Sequence, residues 1–382
     1  MVSFDGFRAD YLDRYPTPNL HRVIANGVRA DALIPAFPSK TFPNHYTIAT
    51  GLYPEHHGIV ANAFYDPQRH DTYTASTPSD AQEGSWYRGE PIWVTAERQG
   101  MVAGAFIWPG SEAAIQGIRP THWKPYDQTT PDSTRVDSAL AWLRLPADRR
   151  PHLIALYMGD VDLVAHRAGP DAPEVIPAVD VVDRAIGRLL DGVASLAVRD
   201  SLYLLLVSDH GLAAYAPSEY VAIEQLVDTM VVRVADVGPV ANLHVAGGIA
   251  SARVTRDSIN RALQHGRAYL RADVPARLHY SKDPRIGDIV IIMDEPYVLG
   301  YAAKIPKPGT HGQHGWDPSS PSMHGIFVVQ GPAVAHGVRI PAFDNIDIYP
   351  FLTELLGLRA ARPIDGRASH LRSFTLPGTR AP

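Results

Sequence analysis

Short apolar runs alternate with longer amphipathic stretches along most of the chain. Each run ends at a turn that contains glycine or a polar residue, which is typical of a strand buried on both faces of a sheet. The strands predicted in this way, all expected to be parallel, are residues 1–4, 101–108, 153–158, 202–207 and 325–329.

Between these runs, apolar residues recur at the spacing of one face of a helix. Helices are predicted at residues 19–26, 132–143, 177–193 and 347–356. Strands that alternate with helices predict an α/β fold, with a mostly parallel sheet covered by helices on both faces. Ligands of such sheets bind at the carboxyl ends of the strands, so chemistry is expected there.

The pattern changes between residues 213 and 300, where the predicted elements become shorter. We interpret this stretch as a small inserted α+β lobe, and residues 1–212 together with 301–382 as the core. The tail from residue 359 onward is expected to be loosely ordered. Within the lobe, strands are predicted at 229–235, 241–245, 250–254, 278–280 and 288–293, and helices at 219–226 and 256–266.

Composition narrows the chemistry that this fold can carry. The 382 residues have a net charge of −5, which provides no basic surface for a nucleic-acid duplex. No apolar run approaches the roughly 18 residues of a membrane span. The chain has no cysteine but 17 histidines, so a metal site would have to use imidazole and carboxylate ligands.

Several strand ends are followed by such ligands. Asp209 and His210 follow the strand at 202–207, and either a metal site or an ion pair next to a helix would explain them. Asp162 and His166 have the i, i+4 spacing of one helix face, which suits a divalent cation but also an exposed ion pair. Asp5 follows the first strand and could simply cap a helix.

Two further residues complete the set. His314 lies in the glycine-rich loop GTHGQHGWDP, where the alternative is an ordinary solvent-exposed histidine. Thr41 lies in the loop PAFPSKTFPNHYT at the start of a helix predicted over residues 44–50, where it could be a nucleophile or a plain N-cap. Three Asp and three His at one sheet edge would be about what two divalent ions need.

Sequence blocks along the chain resemble one known family. In order they are SFDGFRADYL, TPNL, FPSKTFPNHYTIATGLYPEHHGIVAN, WPGSEA, DVDLVAHRAGP, LLVSDHGL, HGQHGWDP, MHGIFVVQGP and FDNIDIYP. With these blocks the chain resembles the bacterial nucleotide pyrophosphatase/phosphodiesterases of the alkaline phosphatase superfamily. The resemblance implies an alkaline phosphatase-like fold whose core is catalytic, and a hydrolase that releases nucleoside 5'-monophosphate from nucleotide diesters or pyrophosphates.

The resemblance also implies two zinc ions per chain and a phospho-threonine intermediate formed on Thr41. One ion would be held by Asp162, His166 and His314, and the other by Asp5, Asp209, His210 and the Thr41 hydroxyl. Asn62 would donate a hydrogen bond to a phosphoryl oxygen, with the Phe42 N–H as the second donor. Phe42, Tyr126 and Tyr157 would stack on the nucleobase, which permits a broad base preference.

Alternatives remain open at this point. The nucleophile loop contains Lys40 but no arginine, which favours a singly charged diester over a doubly charged monoester. The alternatives are a phosphonate or phosphate-monoester hydrolase that uses the same metals, and a non-catalytic nucleotide-binding relative. The first residues contain no signal peptide and begin like the end of a strand, so the natural start is expected upstream. Export to the periplasm is an expectation from the family resemblance only.

Overall fold

The computed structural model describes residues 1–371. The helices are α1 (Tyr11–Arg14), α2 (Pro18–Ala25), α3 (Thr41–Thr50), α4 (Pro54–His57), α5 (Pro78–Ala81), α6 (Ile92–Arg98), α7 (Asp132–Leu143), α8 (Asp160–Ala168), α9 (Val175–Ala194), α10 (Gly248–Ala262) and α11 (Ile348–Leu355). The strands are β1 (Val2–Phe4), β2 (Gly27–Ala30), β3 (Leu33–Ile34), β4 (Ala63–Asp66), β5 (Asp71–Thr74), β6 (Ala103–Phe106), β7 (His122–Lys124), β8 (Leu153–Met158), β9 (Leu204–Val207), β10 (Ala213–Tyr215), β11 (Tyr220–Ala222), β12 (Val232–Asp236), β13 (Val240–Val245), β14 (Gly266–Leu270), β15 (Ile289–Met293), β16 (Val298–Gly300), β17 (His311–Gln313), β18 (Phe327–Gln330), β19 (Val338–Ile340) and β20 (Phe343–Asp344).

A sheet of eight strands forms the centre, in the order β19–β2–β18–β9–β1–β8–β6–β7. Neighbours pair in parallel except where β18 lies between β2 and β9. The prediction that residues 325–329 form a parallel strand was therefore wrong. An apolar run looks the same in either direction, and the chain re-enters the sheet beside the end of β9, since Phe327 pairs with Val207. The strand must then run back through the sheet.

Successive side chains of the central strands enter two separate apolar layers. Leu205 and Val207 pack on one face of the sheet, whereas Leu206 between them packs on the other. The second layer contains the inward faces of α7 and α9, and the first contains α6 and α11. Because both faces are covered, the central strands are apolar throughout, which is why the sequence pattern identified them.

The segment between residues 213 and 300 contains an antiparallel sheet of four strands in the order β12–β13–β15–β14. One face of this sheet packs against Ala252 and Ile259 of α10. Val240 and Val290, on the other face, join the first apolar layer of the central sheet. The division of the chain into a core and an inserted lobe at these boundaries stays a prediction.

Several predicted elements in this segment were wrong. Residues 250–254 lie in α10 rather than in a strand, because Ala252 and Ile259 are seven residues apart and share one helix face. Residues 278–280 are not a strand but the last residue of a short 3₁₀ turn and the two residues after it, and the helix predicted over 219–226 contains β11 and another such turn. The helix predicted over 256–266 ends at Ala262, and β14 begins at Gly266.

The tail from residue 359 was expected to be loosely ordered. Up to residue 371 it packs on the core, since Leu371 is buried and Asp365 contacts His56 at 2.7 Å. The rest of that prediction falls on residues 372–382, outside the described part of the chain. Within residues 1–371, no helix has both the length and the apolar character needed to cross a bilayer.

Candidate metal centre and active site

Two carboxylates enter the site directly from neighbouring central strands. Asp5 follows β1 and Asp209 follows β9, and both are buried. Gly6 has a φ of 63°, and its N–H donates to Asp209 Oδ1 at 3.2 Å. A Cβ at this position would lie 2.8 Å from Asp162 Oδ1, so only glycine allows the three carboxylates to come together here.

Three histidines share one arrangement. In each, Nδ1 donates to a backbone carbonyl, so Nε2 is the ring nitrogen that remains available to bind a metal. The bonds join His166 to Gly312 at 2.8 Å, His210 to Gly211 at 3.0 Å and His314 to Ser39 at 2.8 Å. The rings of His210 and His314 stack with centroids 3.7 Å apart, and those of His166 and His314 lie 5.0 Å apart.

The possible ligand atoms form two groups that share one residue. Asp162, His166 and His314 have atoms within 4.8 Å of one another, and so do Asp5, Asp162 and His210. The first group matches the ligands predicted for one ion. In the second, Asp162 stands where Asp209 was predicted, and an Asp209 oxygen instead lies 3.0 Å from His210 Nε2. The structure thus brings all six predicted Asp and His residues to one sheet edge.

The charges in this cluster are poorly balanced by the protein alone. Burial, and then the nearby Asp209 carboxylate, raise the pKa of Asp5 well above its ordinary value. Burial, and then His210 and His166, hold the pKa of His314 well below its ordinary value. Asp5 Oδ1 and Asp162 Oδ1 are buried and have no hydrogen-bond partner among the described residues. Unpaired carboxylate oxygens beside imidazole nitrogens are what a buried divalent cation requires.

Thr41 is the first residue of α3, and its Oγ1 lies 3.2 Å from His210 Nε2. The helix was predicted to start at residue 44, so the helical N–H groups begin one turn earlier than expected. The preceding Lys40 is buried and forms an ion pair with Asp236 of β12, and its ammonium also donates to Val237 O at 3.1 Å. The hydroxyl of Thr41 therefore stands between the ligand cluster and the amino end of a helix.

The two predicted phosphoryl donors contact each other. The Phe42 N–H donates to Asn62 Oδ1 at 3.0 Å, so the side chain of Asn62 lies next to the residue that follows Thr41. Asn62 precedes β4, and its own carbonyl accepts from Ala75 N at 2.8 Å. Both residues also line a cleft of about 640 Å³ that contains Thr41.

The predicted nucleobase contacts line the same cleft. Phe42, Tyr126 and Tyr157 are all among its lining residues, together with Asn62 and Asp236. None of the described residues that line it is lysine or arginine. Tyr126 is 55% exposed, whereas Tyr157 is half-buried and its hydroxyl donates to Asp5 Oδ2 at 2.6 Å. Tyr157 thus contacts a candidate metal ligand, in addition to facing the cleft.

Sequence reasoning missed two residues of this site. His45 is fully buried, and its Nδ1 lies 3.2 Å from Asp209 Oδ2 while its Nε2 bonds Ser3 Oγ at 2.8 Å. Its position four residues after Thr41, on the same helix face, was the available signal. No local sequence pattern indicated Asp236, because only the tertiary structure brings β12 to the cleft.

Comparison with known proteins shows the family of the chain. The profile of the family described as type I phosphodiesterase / nucleotide pyrophosphatase matches residues 1–317. The chain belongs to this family. A mouse relative, ectonucleotide pyrophosphatase/phosphodiesterase family member 1, is 37% identical over 368 residues, which is 94% of this chain and 40% of the relative. A Schizosaccharomyces pombe pyrophosphatase/phosphodiesterase is 34% identical over 96% of this chain and 78% of its own.

Solved structures show the same fold. Murine ectonucleotide pyrophosphatase/phosphodiesterase 5, as an inactive variant in complex with AMP, superposes with a TM-score of 0.92 at 30% identity and covers 98% of both chains. The prediction of an α/β fold of the alkaline phosphatase type, in this family, is confirmed. The chain spans about two fifths of the length of the mouse, human and rat relatives that it matches. The bacterial origin implied by the resemblance stays a prediction.

Proposed function

We propose that this chain hydrolyses phosphodiester or pyrophosphate bonds of nucleotides and releases nucleoside 5'-monophosphate. The observation that carries the proposal is the position of the Thr41 hydroxyl, 3.2 Å from His210 Nε2, at the amino end of α3 and in a cleft with Asn62. A hydroxyl next to a metal-ligand cluster and a helix N-terminus suits nucleophilic attack on phosphorus. The family names, phosphodiesterase and nucleotide pyrophosphatase, support the same reaction.

The chain's donor set fits two zinc ions, because it combines imidazole nitrogens with buried carboxylate oxygens that lack hydrogen-bond partners within residues 1–371. Asp162, His166 and His314 would hold one ion. Asp5, His210 and Thr41 would hold the other, with Asp209 or Asp162 as a further ligand. When bound, the ions would supply Lewis acidity that lowers the pKa of a hydroxyl and neutralises phosphoryl charge.

The residues of the chain divide the remaining tasks. The Thr41 hydroxyl gives up its proton to solvent, and Oγ1 forms a bond to phosphorus as the bond from phosphorus to the leaving oxygen breaks and that oxygen takes up a proton. Water then cleaves the bond between phosphorus and Thr41 Oγ1, which releases the nucleoside 5'-monophosphate and restores the hydroxyl. Asn62 and the Phe42 N–H are the proposed donors to a phosphoryl oxygen, and a substrate oxygen would take the N–H that Asn62 now accepts. Phe42, Tyr126 and Tyr157 are the proposed contacts of the nucleobase.

A diester is favoured over a monoester by the charge of the cleft. The described lining residues include Asp5, Glu112 and Asp236 but no lysine or arginine, and the nearby Lys40 is neutralised by Asp236. A second phosphate charge would therefore find no cation of the protein to pair with. An aromatic cleft without cationic side chains instead suits a singly charged phosphate that carries a nucleoside.

Thr41→Ala tests the nucleophile. We expect turnover of the nitrophenyl diester of TMP to fall by at least about 10³-fold, because the attacking atom is gone, while zinc stays near two per chain by elemental analysis. Thr50→Ala is the matched control, since Thr50 is a buried threonine of the same helix whose hydroxyl donates to Tyr46 O at 2.7 Å and accepts from Leu52 N at 3.4 Å. Thr41→Ala activity within tenfold of the control would show that Thr41 is not the nucleophile.

The substrate class is tested on the zinc-loaded wild type. The kcat/KM for the nitrophenyl diester of TMP should exceed that for nitrophenyl phosphate by at least about 10²-fold, which is the free-energy cost of roughly 2.7 kcal/mol for an uncompensated charge. The products from a dinucleotide should include the 5'-monophosphate. A clear preference for the monoester would instead favour a monoester or phosphonate hydrolase.

A further inference from the structure

We propose that Arg285 and Tyr280 are positioning residues for Asn62, and that the segment between residues 213 and 300 thereby takes part in the reaction. This inference rests on the proposed function, since it deepens the part given to Asn62. The residues concerned on the core side are residues 58–66, which we call the Asn62 segment. Asn62 lies at its centre, four residues from each end.

Arg285 binds both ends of the Asn62 segment. Its Nε donates to Asp66 Oδ2 at 2.8 Å, and one terminal nitrogen donates to Gly58 O at 2.9 Å and to Trp86 O at 2.7 Å. The guanidinium is only 3% exposed and lies over the rings of Phe64 and Trp86, at 5.1 and 5.6 Å. A planar group with fixed donor directions holds these acceptors at set distances, which lysine could not do.

Tyr280 holds the middle of the segment. Its hydroxyl donates to Val60 O at 2.8 Å and accepts from Asn242 Nδ2 at 3.0 Å, and the ring is almost fully buried. Asn242 belongs to β13, so this hydroxyl is itself oriented by the four-stranded sheet. The ring also packs against the ring of Phe37, four residues before Thr41, at a centroid distance of 5.2 Å.

These contacts hold the residue whose side-chain amide is the proposed donor to the phosphoryl oxygen. Tyr280 binds the backbone carbonyl two residues before Asn62, and Arg285 binds the one four residues before it. Arg285 also binds the carboxylate of the residue four positions after Asn62. Asn62 Oδ1 in turn lies 3.0 Å from the Phe42 N–H, beside Thr41. A hydrogen-bond donor to a developing charge must be held within about 0.5 Å, and a misplacement of about 1 Å can cost 10²-fold in rate.

The alternative is that these buried contacts only stabilise the fold. A double-mutant cycle separates the two possibilities, because a residue that acts through Asn62 has nothing left to act on once Asn62 is replaced. The variants are Tyr280→Phe and Arg285→Met, each in the wild type and in Asn62→Ala. The measured quantities are kcat and KM for the nitrophenyl diester of TMP with zinc in excess.

We expect Asn62→Ala to lower kcat by about 10²-fold. Tyr280→Phe and Arg285→Met should each lower kcat by about tenfold with KM changed less than about twofold, and should change the Asn62→Ala enzyme by less than about twofold. Arg29→Met is the matched control: Arg29 is another buried arginine, bound to Asp13 at 2.6 Å on β2, and its effect should be the same in both backgrounds.

Each outcome decides between the hypotheses. Equal losses of kcat in the wild type and in Asn62→Ala, or no loss from Tyr280→Phe, would reject the positioning of Asn62. Tyr280→Phe keeps the buried ring, so it remains informative even if Arg285→Met does not fold. A wild type without diesterase activity would refute the proposed function itself, and this inference with it, whereas an active wild type with additive effects would refute this inference alone.

Discussion

The hydroxyl of Tyr157 is the one side-chain donor that the structure gives to Asp5 Oδ2, at 2.6 Å. The other oxygen of that carboxylate, Oδ1, has no hydrogen-bond partner within residues 1–371 and lies 3.5 Å from His210 Nε2. Tyr157→Phe removes this donor and keeps the ring in the cleft. We expect the variant to bind zinc more weakly at the Asp5 position, because the carboxylate loses the contact that orients it.

The magnitude follows from the kind of bond. A hydrogen bond to a charged group contributes about 1.5–3 kcal/mol, and each 1.4 kcal/mol is tenfold in a dissociation constant. The expected loss is therefore about 10- to 100-fold in affinity for one of two ions, as is usual when a partner of a metal ligand is replaced. The affinity for an ion at Asp162, His166 and His314 should change much less, since the two histidines have their own carbonyl partners.

Competition with a chromophoric zinc chelator measures both dissociation constants on the metal-free protein. Tyr126→Phe is the matched control, because Tyr126 lines the same cleft but is 55% exposed, where water replaces any partner of its hydroxyl. Two unchanged constants in Tyr157→Phe would refute the reasoning. An equal weakening in both tyrosine variants would also refute it, since a contact specific to Asp5 could not be the cause.

Two further predictions concern stability. Burial, and then Asp160, raise the pKa of Asp132 to about 7, so the folded protein keeps a proton that the unfolded chain releases above its ordinary pKa of 3.8. The free energy of unfolding should therefore fall as pH rises from 4 through 7, by at most about 4 kcal/mol. In urea titrations Asp132→Asn should show a smaller fall over this range, and it should not differ from the wild type near pH 3. Asp236→Asn leaves the buried ammonium of Lys40 without its carboxylate partner and should lower the free energy of unfolding by about 3–5 kcal/mol. In the same urea titration, the double variant Lys40→Met with Asp236→Leu should recover most of this loss.

The central sheet shows how far the sequence pattern reaches. The strands at 153–158 and 202–207 were predicted closely, because a strand covered on both faces must be apolar throughout and must stop at a polar turn. The direction of β18 was missed, because the run at residues 325–329 from which it was predicted contains no directional signal. Only the pairing of Phe327 with Val207 decides it.

The segment between residues 213 and 300 was predicted least well. Its strands and turns are three to six residues long, and α10 buries little more than Ala252 and Ile259. Such short patterns fit a helix and a strand about equally, so packing on the neighbouring layer decides between them. The contacts of Asp236, Tyr280 and Arg285 with the core join residues more than 190 positions apart, and no local spacing records them.

By itself, the sequence determined the α/β class, the sheet edge where chemistry is expected, and the six Asp and His residues that gather there with Thr41. It could do so because strand ends and glycine turns are local features, and because a chain without cysteine offers few other ligands for zinc. Only the tertiary structure decided which carboxylates lie close enough to share one candidate metal position, and that Tyr157 and His45 contact them. It also decided that the segment between residues 213 and 300 binds the chain on both sides of Asn62. Those contacts depend on distances between elements far apart in the chain, and such distances are set by packing.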